Sequence, residues 1–560
     1  MLNVITLKPM PTKIYSKAKI LIVEEQPLAQ SYMKQSLERL GFQQLRFADH
    51  AKSAKEQCLS EEFDLIVCSF NLSKQQDGYQ LYEELRVKRL IKNSTGFIFI
   101  SAETTGSLVH SVLELQPDDF LVKPFTVQEL KVRIERVLKR KHDLQTIYTL
   151  IDDGNDPKAI TYIDTILNKE NNSYSPILLR LKGDALLRLN SKQEAKDFFK
   201  SVLNIQKFAW AKVGLVEALI ANNEHILAQR MLKTMLERQE TRLVALDLLG
   251  QLEIKLNQFE LAQEFLSQAV KIAPRNISRQ KSLSNVSLIN HDYETNYLTQ
   301  KDIASYAKYS IHDHPSIYLN AARAGIDFAL TTDQTDQIQR ISRQTNQYIN
   351  DLKKLFPNSS NQAQIDVLNA RLHYLKDEHQ KAKKLIEQLD DDDVIIGSVD
   401  SALDKAKAFH ELGFHQKAQT LFTQIINHCE QHPNQEDITY LRYIQQQQSE
   451  RRDIKIGPKE LNNHAVNQFN RGQLNTALEA FTQAFRVMPR NPSIALNLLQ
   501  CLLDSNKQLG RSFNLELAKK CYALLSKTQL PAEQMQRLDK ILDIAKEMKL
   551  ELETDTKSQK

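Results

Sequence analysis

The chain of 560 residues is poor in the residues that break or cross-link a backbone. It holds 14 glycines, 15 prolines, five cysteines and one tryptophan. Scarce glycine and proline favour long regular elements, helices above all, because these two residues are the ones that interrupt them. The cysteines, Cys58, Cys68, Cys429, Cys501 and Cys521, stand at no paired spacing. That speaks against a disulfide framework and a zinc site, and fits a reducing compartment. A run of about 18 apolar residues is also lacking, so no membrane-spanning helix is expected. The first residues, MLNVITLKPMPTK, have no sustained apolar core of the secretory kind. A cytoplasmic location is the expectation. Charge of one sign is equally absent: 74 Lys and Arg against 69 Asp and Glu give a net +5. With no dense basic patch, nucleic-acid binding gains no support. The short run Leu138-Lys139-Arg140-Lys141 reads as a charged helix end.

The length suggests three or four domains. From Lys19 to Leu138 short apolar runs alternate with amphipathic segments. The apolar runs Ile20 to Val23, Leu45 to Phe47, Leu65 to Cys68, Phe97 to Ile100 and Phe120 to Val122 read as strands. Between them, helical spacing of apolar residues appears around Met33 and Leu37, from Ala51 to Leu59, through Leu81, Leu85 and Leu90, from Leu108 to Leu115, and from Val127 to Leu138. Five strands alternating with five helices predict an α/β doubly wound, five-stranded parallel sheet. In such sheets a ligand site lies beyond the carboxyl ends of the strands. Those ends are Glu24-Glu25, Ser69, Ser101-Ala102 and Lys123-Pro124, which should converge on one polar pocket.

This set resembles the receiver domain of bacterial response regulators, over residues 17–141. The resemblance implies an acidic pair holding magnesium at the first strand end and a phosphoacceptor aspartate at the third. It implies a switch hydroxyl, here Ser101, a phosphate-contacting lysine, here Lys123, before a cis proline, and a switch aromatic, here Phe120. Asp77-Gly78 matches the Asp-Gly that opens the third helix. The departure lies in the stretch DLIVCSFNLSKQQDG. Its alignment puts Ser69 where the acceptor belongs, followed by Asn71. A serine forms no acyl phosphate and removes a carboxylate that magnesium needs. Glu24 and Glu25 also have longer arms than two aspartates. The expectation is a pseudo-receiver: no phosphotransfer, weak or absent Mg²⁺ binding, no other cofactor, and one constitutive state held by packing. Ser69 has neither a neighbouring histidine nor a G-x-S-x-G elbow, so no other nucleophilic chemistry is expected of it.

After residue 141 apolar residues recur at helical spacing to the end. The clearest unit, LLGQLEIKLNQFELAQEFLSQAVKIAPRN, sets Gly250, Ala262, Leu266, Ala269 and Pro274 at fixed offsets. The same offsets give Gly183, Ala195, Phe199 and Val202, and, near the end, Ala465, Ala477, Phe481, Ala484 and Pro489. They also give Ala406, Ala418, Phe422 and Ile425, and Ala370 with Ala382. The pattern is that of the tetratricopeptide (TPR) repeat. Small residues let two antiparallel helices approach, a large one fills the groove, and proline stops the second helix. One such unit cannot bury its own apolar face, so units stack into a superhelix. The expected layout is an N-terminal extension at 1–16, the receiver-like domain at 17–141 and a first TPR block at 142–275. Degenerate repeats or a linker follow at 276–361, a second TPR block at 362–550, and a disordered tail at 551–560.

Other local features read as structural. HELGFH, starting at His410, has its histidines five apart rather than the four of a zinc-protease helix, and Gly413 falls at a turn, so no metal site is expected. The four aspartates at 390–393 read as a solvated turn. No P-loop, dinucleotide fingerprint, paired catalytic carboxylates or triad is found, so the protein is not expected to be an enzyme. The expectation is a signalling adaptor, an auxiliary regulator of a two-component phosphorelay, binding a sensor kinase or a response regulator through the receiver and the TPR groove. Two alternatives stand beside it. One is a phosphorylatable response regulator with TPR output. The other is a TPR scaffold or co-chaperone whose receiver serves dimerisation. Homodimerisation through the receiver or the terminal repeats is open on the sequence.

Overall fold

The computed structural model describes residues 16–72, 75–103, 105–169, 173–332, 335–389, 398–432, 438–454, 456–509, 514–528, 530–548, 550 and 552. The aspartates at 390–393, the first 15 residues of the N-terminal extension and nearly all of the tail lie outside them. The chain divides into two compact units. One holds the described residues up to Arg279 together with Ser305–Asp313, and the other Gln280–Ala304 with the described residues from His314 onward.

The first unit opens with β1 (Lys19–Val23), β2 (Gln44–Ala48), β3 (Leu65–Ser69), β4 (Gly96–Ser101) and β5 (Asp119–Val122). These alternate with α1 (Pro27–Arg39), α2 (Ala51–Ser60), α3 (Gly78–Val87), α4 (Gly106–Glu114) and α5 (Val127–Asp143). Every pairing is parallel, in the order β2-β1-β3-β4-β5. The inner strands β1, β3 and β4 are largely apolar on both sides because helices cover both faces. Ile20, Ile22, Val67 and Ile98 pack with Leu37 of α1 and Ile134 of α5. The alternate residues Leu21, Val23, Ile66 and Phe99 pack with Leu81 and Leu85 of α3 and Val112 of α4.

Two helix ends differ from the sequence reading. α3 stops at Val87, short of Leu90, because Arg89 takes a left-handed φ of 53°. Leu90 still packs on the sheet, from the loop. α5 runs past Leu138 to Asp143, and its basic end is matched by acid. Arg140 and Lys141 both pair with Asp118, Lys141 at 3.0 Å. Lys141 also donates to the Asn93 carbonyl at 2.7 Å.

Helical hairpins follow: α6 (Gln145–Asp152) with α7 (Asp156–Leu167), α8 (Ser175–Arg188) with α9 (Lys192–Ile205), α10 (Ala209–Ala221) with α11 (His225–Leu236), and α12 (Gln239–Lys255) with α13 (Phe259–Ile272). The small residues are small because a ring needs their space. A Cβ on Gly183 would lie 2.6 Å from the Phe199 ring, and one on Gly214 2.2 Å from the same ring. Phe199 is therefore wedged between α8 and α10. A Cβ on Gly250 would lie 2.6 Å from Leu266. Ala195, Ala262 and Ala269 are fully buried, and Pro274 stands just beyond the end of α13.

The remaining helices are α14 (Ile277–Ile289), α15 (Tyr293–Ala307), α16 (Pro315–Ala329), α17 (Thr335–Leu355), α18 (Gln362–Leu375), α19 (His379–Glu387), α20 (Val399–Glu411), α21 (His415–Gln431), α22 (Ile438–Arg451), α23 (Pro458–Asn470), α24 (Leu474–Val487), α25 (Pro492–Leu509), α26 (Leu515–Leu525) and α27 (Ala532–Glu547). Ala477, Phe481 and Ala484 are buried on α24, with Pro489 just past its end. Among the described residues no helix is long and apolar enough to cross a membrane.

The stretch with no clean repeat match has a physical reason for hiding. Asn190, Asn223, Asn257 and His291 all turn with a left-handed φ between 53° and 63°. They recur at roughly the 34-residue TPR period, so the α14–α15 hairpin keeps the register. At its small and large positions stand Ser284, Asn296 and Gln300 instead of Gly, Ala and a large apolar residue. Asn296 Nδ2 and Gln300 Nε2 donate to Ser284 Oγ at 2.7 and 2.8 Å. A buried polar set with its hydrogen bonds made replaces the apolar one.

The turn at Gly413 also sets how His410 and His415 meet. On one ideal helix they would point apart. Gly413, at φ 88°, ends α20 and lets α21 fold back, which brings the two rings to a centroid distance of 5.5 Å. His410 is buried, its Nε2 lies 3.2 Å from the Ile454 carbonyl, and burial drives its pKa down to about 3, with Arg451 and His415 adding to the effect.

Candidate functional site

The carboxyl ends of β1, β3 and β5 meet at one cavity of about 430 Å³. Glu24, Ser69, Lys123 and Pro124 line it, together with Leu28, Tyr32 and Phe125 at the apolar side. Glu24 follows the buried apolar run Ile20–Val23 and is itself buried, so its charge must be met on the spot. Lys123 Nζ meets it at 2.7 Å on Oε2, and the Gln26 amide donates to Oε1 at 3.1 Å. The Lys123–Pro124 peptide is cis.

Ser69 ends β3, buried, with Oγ 3.5 Å from the Asn71 carbonyl. The remaining candidates stand back from the cavity. Ser101 is buried at the end of β4 and accepts from the Glu103 amide at 3.0 Å. Glu25 is half-buried outside the lining. Phe120 is half-buried and packs on the α3–α4 side of the sheet. The Cys68 thiol beside Ser69 is pushed well up by burial, with Asp77 and Glu24 adding to the effect. It is therefore an inert core group.

Residues 20–135 match the response regulator receiver domain. The transcriptional activator protein IrlR of Burkholderia pseudomallei (strain 1026b) is 30% identical over 179 residues, 32% of this chain and 72% of that protein. The chain belongs to the response regulator receiver family. A probable chemotaxis protein CheY of Rhizobium etli is 29% identical over 124 residues, 22% of this chain and 95% of that one. A solved CheY-like receiver domain protein from Methanospirillum hungatei JF-1 is 22% identical, covering 23% of this chain and 98% of its own, with a TM-score of 0.21. Residues 244–276, which take in most of α12 and all of α13, match the tetratricopeptide repeat.

The receiver's donor set does not fit a magnesium ion well. Mg²⁺ takes near-octahedral oxygen and is held by carboxylates it can share. Here Glu24 has Lys123 on one oxygen and a backbone amide on the other, and Ser69 offers a neutral hydroxyl.

A second set of contacts ties the receiver to its repeats. Asp77 caps α3. Its Oδ1 accepts from the Gln80 amide at 2.9 Å, and Gln80 Oε1 accepts from the Asp77 amide at 3.2 Å. This capping box leaves Asp77 Oδ2 for Arg275, just past α13, at 2.5 Å. The Arg275 guanidinium also lies 5.2 Å from the Phe70 ring, 5.5 Å from Tyr79 and 5.9 Å from Tyr306. Gln80 Nε2 donates to the carbonyls of Tyr306 and Lys308 at 2.9 and 3.1 Å. Arg279, almost fully buried, joins Asp247 of α12 at 2.6 Å and Glu114 of α4. Burial opposes the Arg279 charge, but hydrogen bonds to Asp247 and Glu114 raise its pKa above the ordinary arginine value.

These contacts reach back to the pocket through Gly78. A Cβ there would lie 2.4 Å from the Ser69 carbonyl oxygen, so the start of α3 is seated directly on the end of β3. Asp77-Gly78 was legible as a loop motif. Arg275, Arg279 and Gln80 were not, since nothing in their spacing sets them apart from any solvated helix end.

Proposed function

We propose that the protein is a non-enzymatic adaptor of a two-component pathway, with a receiver held in one state by its own repeats rather than by phosphorylation. The observation that carries this reading is Ser69 at the end of β3, lining one cavity with a lysine already neutralised by Glu24 at 2.7 Å. A receiver works as a switch when a new dianionic group draws the lysine and the switch hydroxyl together. Here the lysine has a permanent internal carboxylate. The contacts of Arg275, Arg279 and Gln80 hold α3 and α4 without any phosphoryl group. Partners of the expected kind are a sensor kinase or a response regulator, met through the exposed receiver surface and the TPR repeats. A cytoplasmic location belongs to the same reading.

The test is intact-mass measurement of the full chain after incubation with acetyl phosphate and Mg²⁺. No acid-labile gain is expected. A gain of one phosphate, retained in Ser69→Ala and lost in Asp77→Asn, would refute the reading. A second reading, a phosphorylatable regulator with TPR output, has support in the relatives, which include a transcriptional activator. Ser69→Asp distinguishes it: an acid-labile phosphate on that variant alone would show a pocket complete but for its acceptor. Crosslinking of the full chain in cells tests the pathway, and recovery of no two-component protein would count against it.

A further inference from the structure

The second unit contains a polar cavity of about 270 Å³, lined from α14, α15, α16, α20 and α22. Polar groups dominate it, which is unusual for the inside of stacked amphipathic helices, whose stability comes from apolar burial. Asp327, Asp404, Lys407 and Arg323 of its lining belong to an ion network that continues behind it. Arg371, 1% exposed, reaches Asp327 at 2.7 Å, Asp404 at 2.6 Å and Glu411 at 2.6 Å. Lys407 binds the other oxygen of Asp327 at 2.5 Å. Arg323 donates to Asn320 and Gln364 at 2.6 and 2.7 Å, and its Nε stands 3.6 Å from Asp404 Oδ2.

These three cations are committed to Asp327, Asp404 and Glu411. Asp400 also lines the cavity, and its partners are neutral: Tyr440 OH at 2.6 Å and Asn320 Nδ2 at 2.8 Å. Its place in the first turn of α20 offsets part of the charge. One turn on, Asp404 Oδ2 is buried and accepts no hydrogen bond, and the fully buried Tyr443 hydroxyl makes none either. Lys281, exposed, lines the cavity without pairing with Asp400. The Tyr443 ring already faces the Lys407 ammonium at 5.3 Å, so this ring presents a face suited to positive charge.

We propose that this cavity binds an organic cation with several N–H donors, a guanidinium or a primary ammonium, through Asp400 and its tyrosine wall. A cation there supplies the counter-charge that Asp400 lacks. It also brings a donor towards Asp404, whose Oδ2, one helical turn further in, accepts no hydrogen bond and has only the Arg323 Nε at 3.6 Å. The cavity's size suits one basic side chain or a free molecule of that size, and not a folded segment. The site stands independently of the receiver's chemistry.

The test is isothermal titration of the full chain with butylguanidine and butylamine, and with butylurea as the neutral isostere. A capped Gly-Arg-Gly peptide and its citrulline counterpart form a second pair. The cations are expected to bind at least about tenfold more tightly than their neutral isosteres. Asp400→Asn, which keeps the shape and both hydrogen-bonded neighbours, is expected to remove that preference. Tyr440→Phe, at the other side of the carboxylate, is expected to weaken it. Equal affinity for peptide and butylguanidine identifies a free small cation as the occupant, and a clear excess for the peptide identifies a partner's side chain. No cation binding at about 10 mM, a value near −2.7 kcal/mol on the 1 M scale, overturns the proposal. So does equal binding of urea and guanidinium, or a preference that survives in Asp400→Asn.

Discussion

Asp77 and Arg275 offer a measurable test of whether the repeats hold the receiver. The ion pair at 2.5 Å is partly buried on both sides. A hydrogen bond between charged groups contributes about 1.5–3 kcal/mol. The Arg275 guanidinium also faces three rings, at about 0.5–1 kcal/mol each when exposed. Arg275→Met removes both kinds of contact. Asp77→Asn removes the charge but keeps the oxygen that caps α3. In a double-mutant cycle the ring contacts cancel, since they depend on Arg275 alone. The coupling left should be about 1.5–3 kcal/mol, or roughly tenfold to a hundredfold in a local opening equilibrium. Amide hydrogen exchange across α3 reads that equilibrium directly, without assuming that a chain of this size unfolds in one step. Exchange in the double variant should match that in Arg275→Met. Effects that add to within about 0.3 kcal/mol would mean that the contact carries no coupling, and the proposed clasp on α3 would fall with it.

Three further outcomes follow from the packing and the buried charges. Gly214→Ala should destabilise the first repeats by about 1–3 kcal/mol, since a Cβ would meet three atoms of the Phe199 ring at 2.2 to 2.7 Å. Limited proteolysis near α9 and α10 should show it, and wild-type resistance would refute the wedge. Arg371→Met leaves Asp327, Asp404 and Glu411 facing one another without their shared cation. A loss of about 3–5 kcal/mol in the second unit is expected by chemical denaturation, and a change under about 1 kcal/mol would contradict the network's description. His410 is held neutral, its pKa lowered from 6.5 to about 3. The unfolded chain therefore binds the extra proton first, so stability falls as pH drops from about 6.5 towards 3. His410→Gln should flatten that slope in melting curves, and an unchanged slope would assign it to other groups.

The parallel sheet was legible because short continuous apolar runs alternated with segments of helical spacing from Lys19 to Leu138. The pocket was legible in part. Strand ends placed Glu24, Ser69 and Lys123 at one cavity, but spacing could not tell that Lys123 would be taken by Glu24. Leu90 misled because an apolar residue at helical spacing packs equally well from a loop. The α14–α15 hairpin was legible only as degenerate repeats or a linker, because small and apolar residues do not mark its close approach. Ser284, Asn296 and Gln300 solve the same close approach with hydrogen bonds. The left-handed turn residues were a second signal of the period, visible in the sequence as the recurring Asn190, Asn223 and Asn257.

Gln80 grips backbone carbonyls, those of Tyr306 and Lys308. Such acceptors are blind to side-chain identity, while the donor is not. The two sides of this junction should therefore tolerate mutation very unequally. Position 308 can drift through almost any residue that leaves the chain path intact, whereas position 80 is confined to a side chain that both closes the cap on α3 and extends a carboxamide outward. The receiver carries the sequence-specific half of the lock, and the repeats carry a half that is written only in their shape.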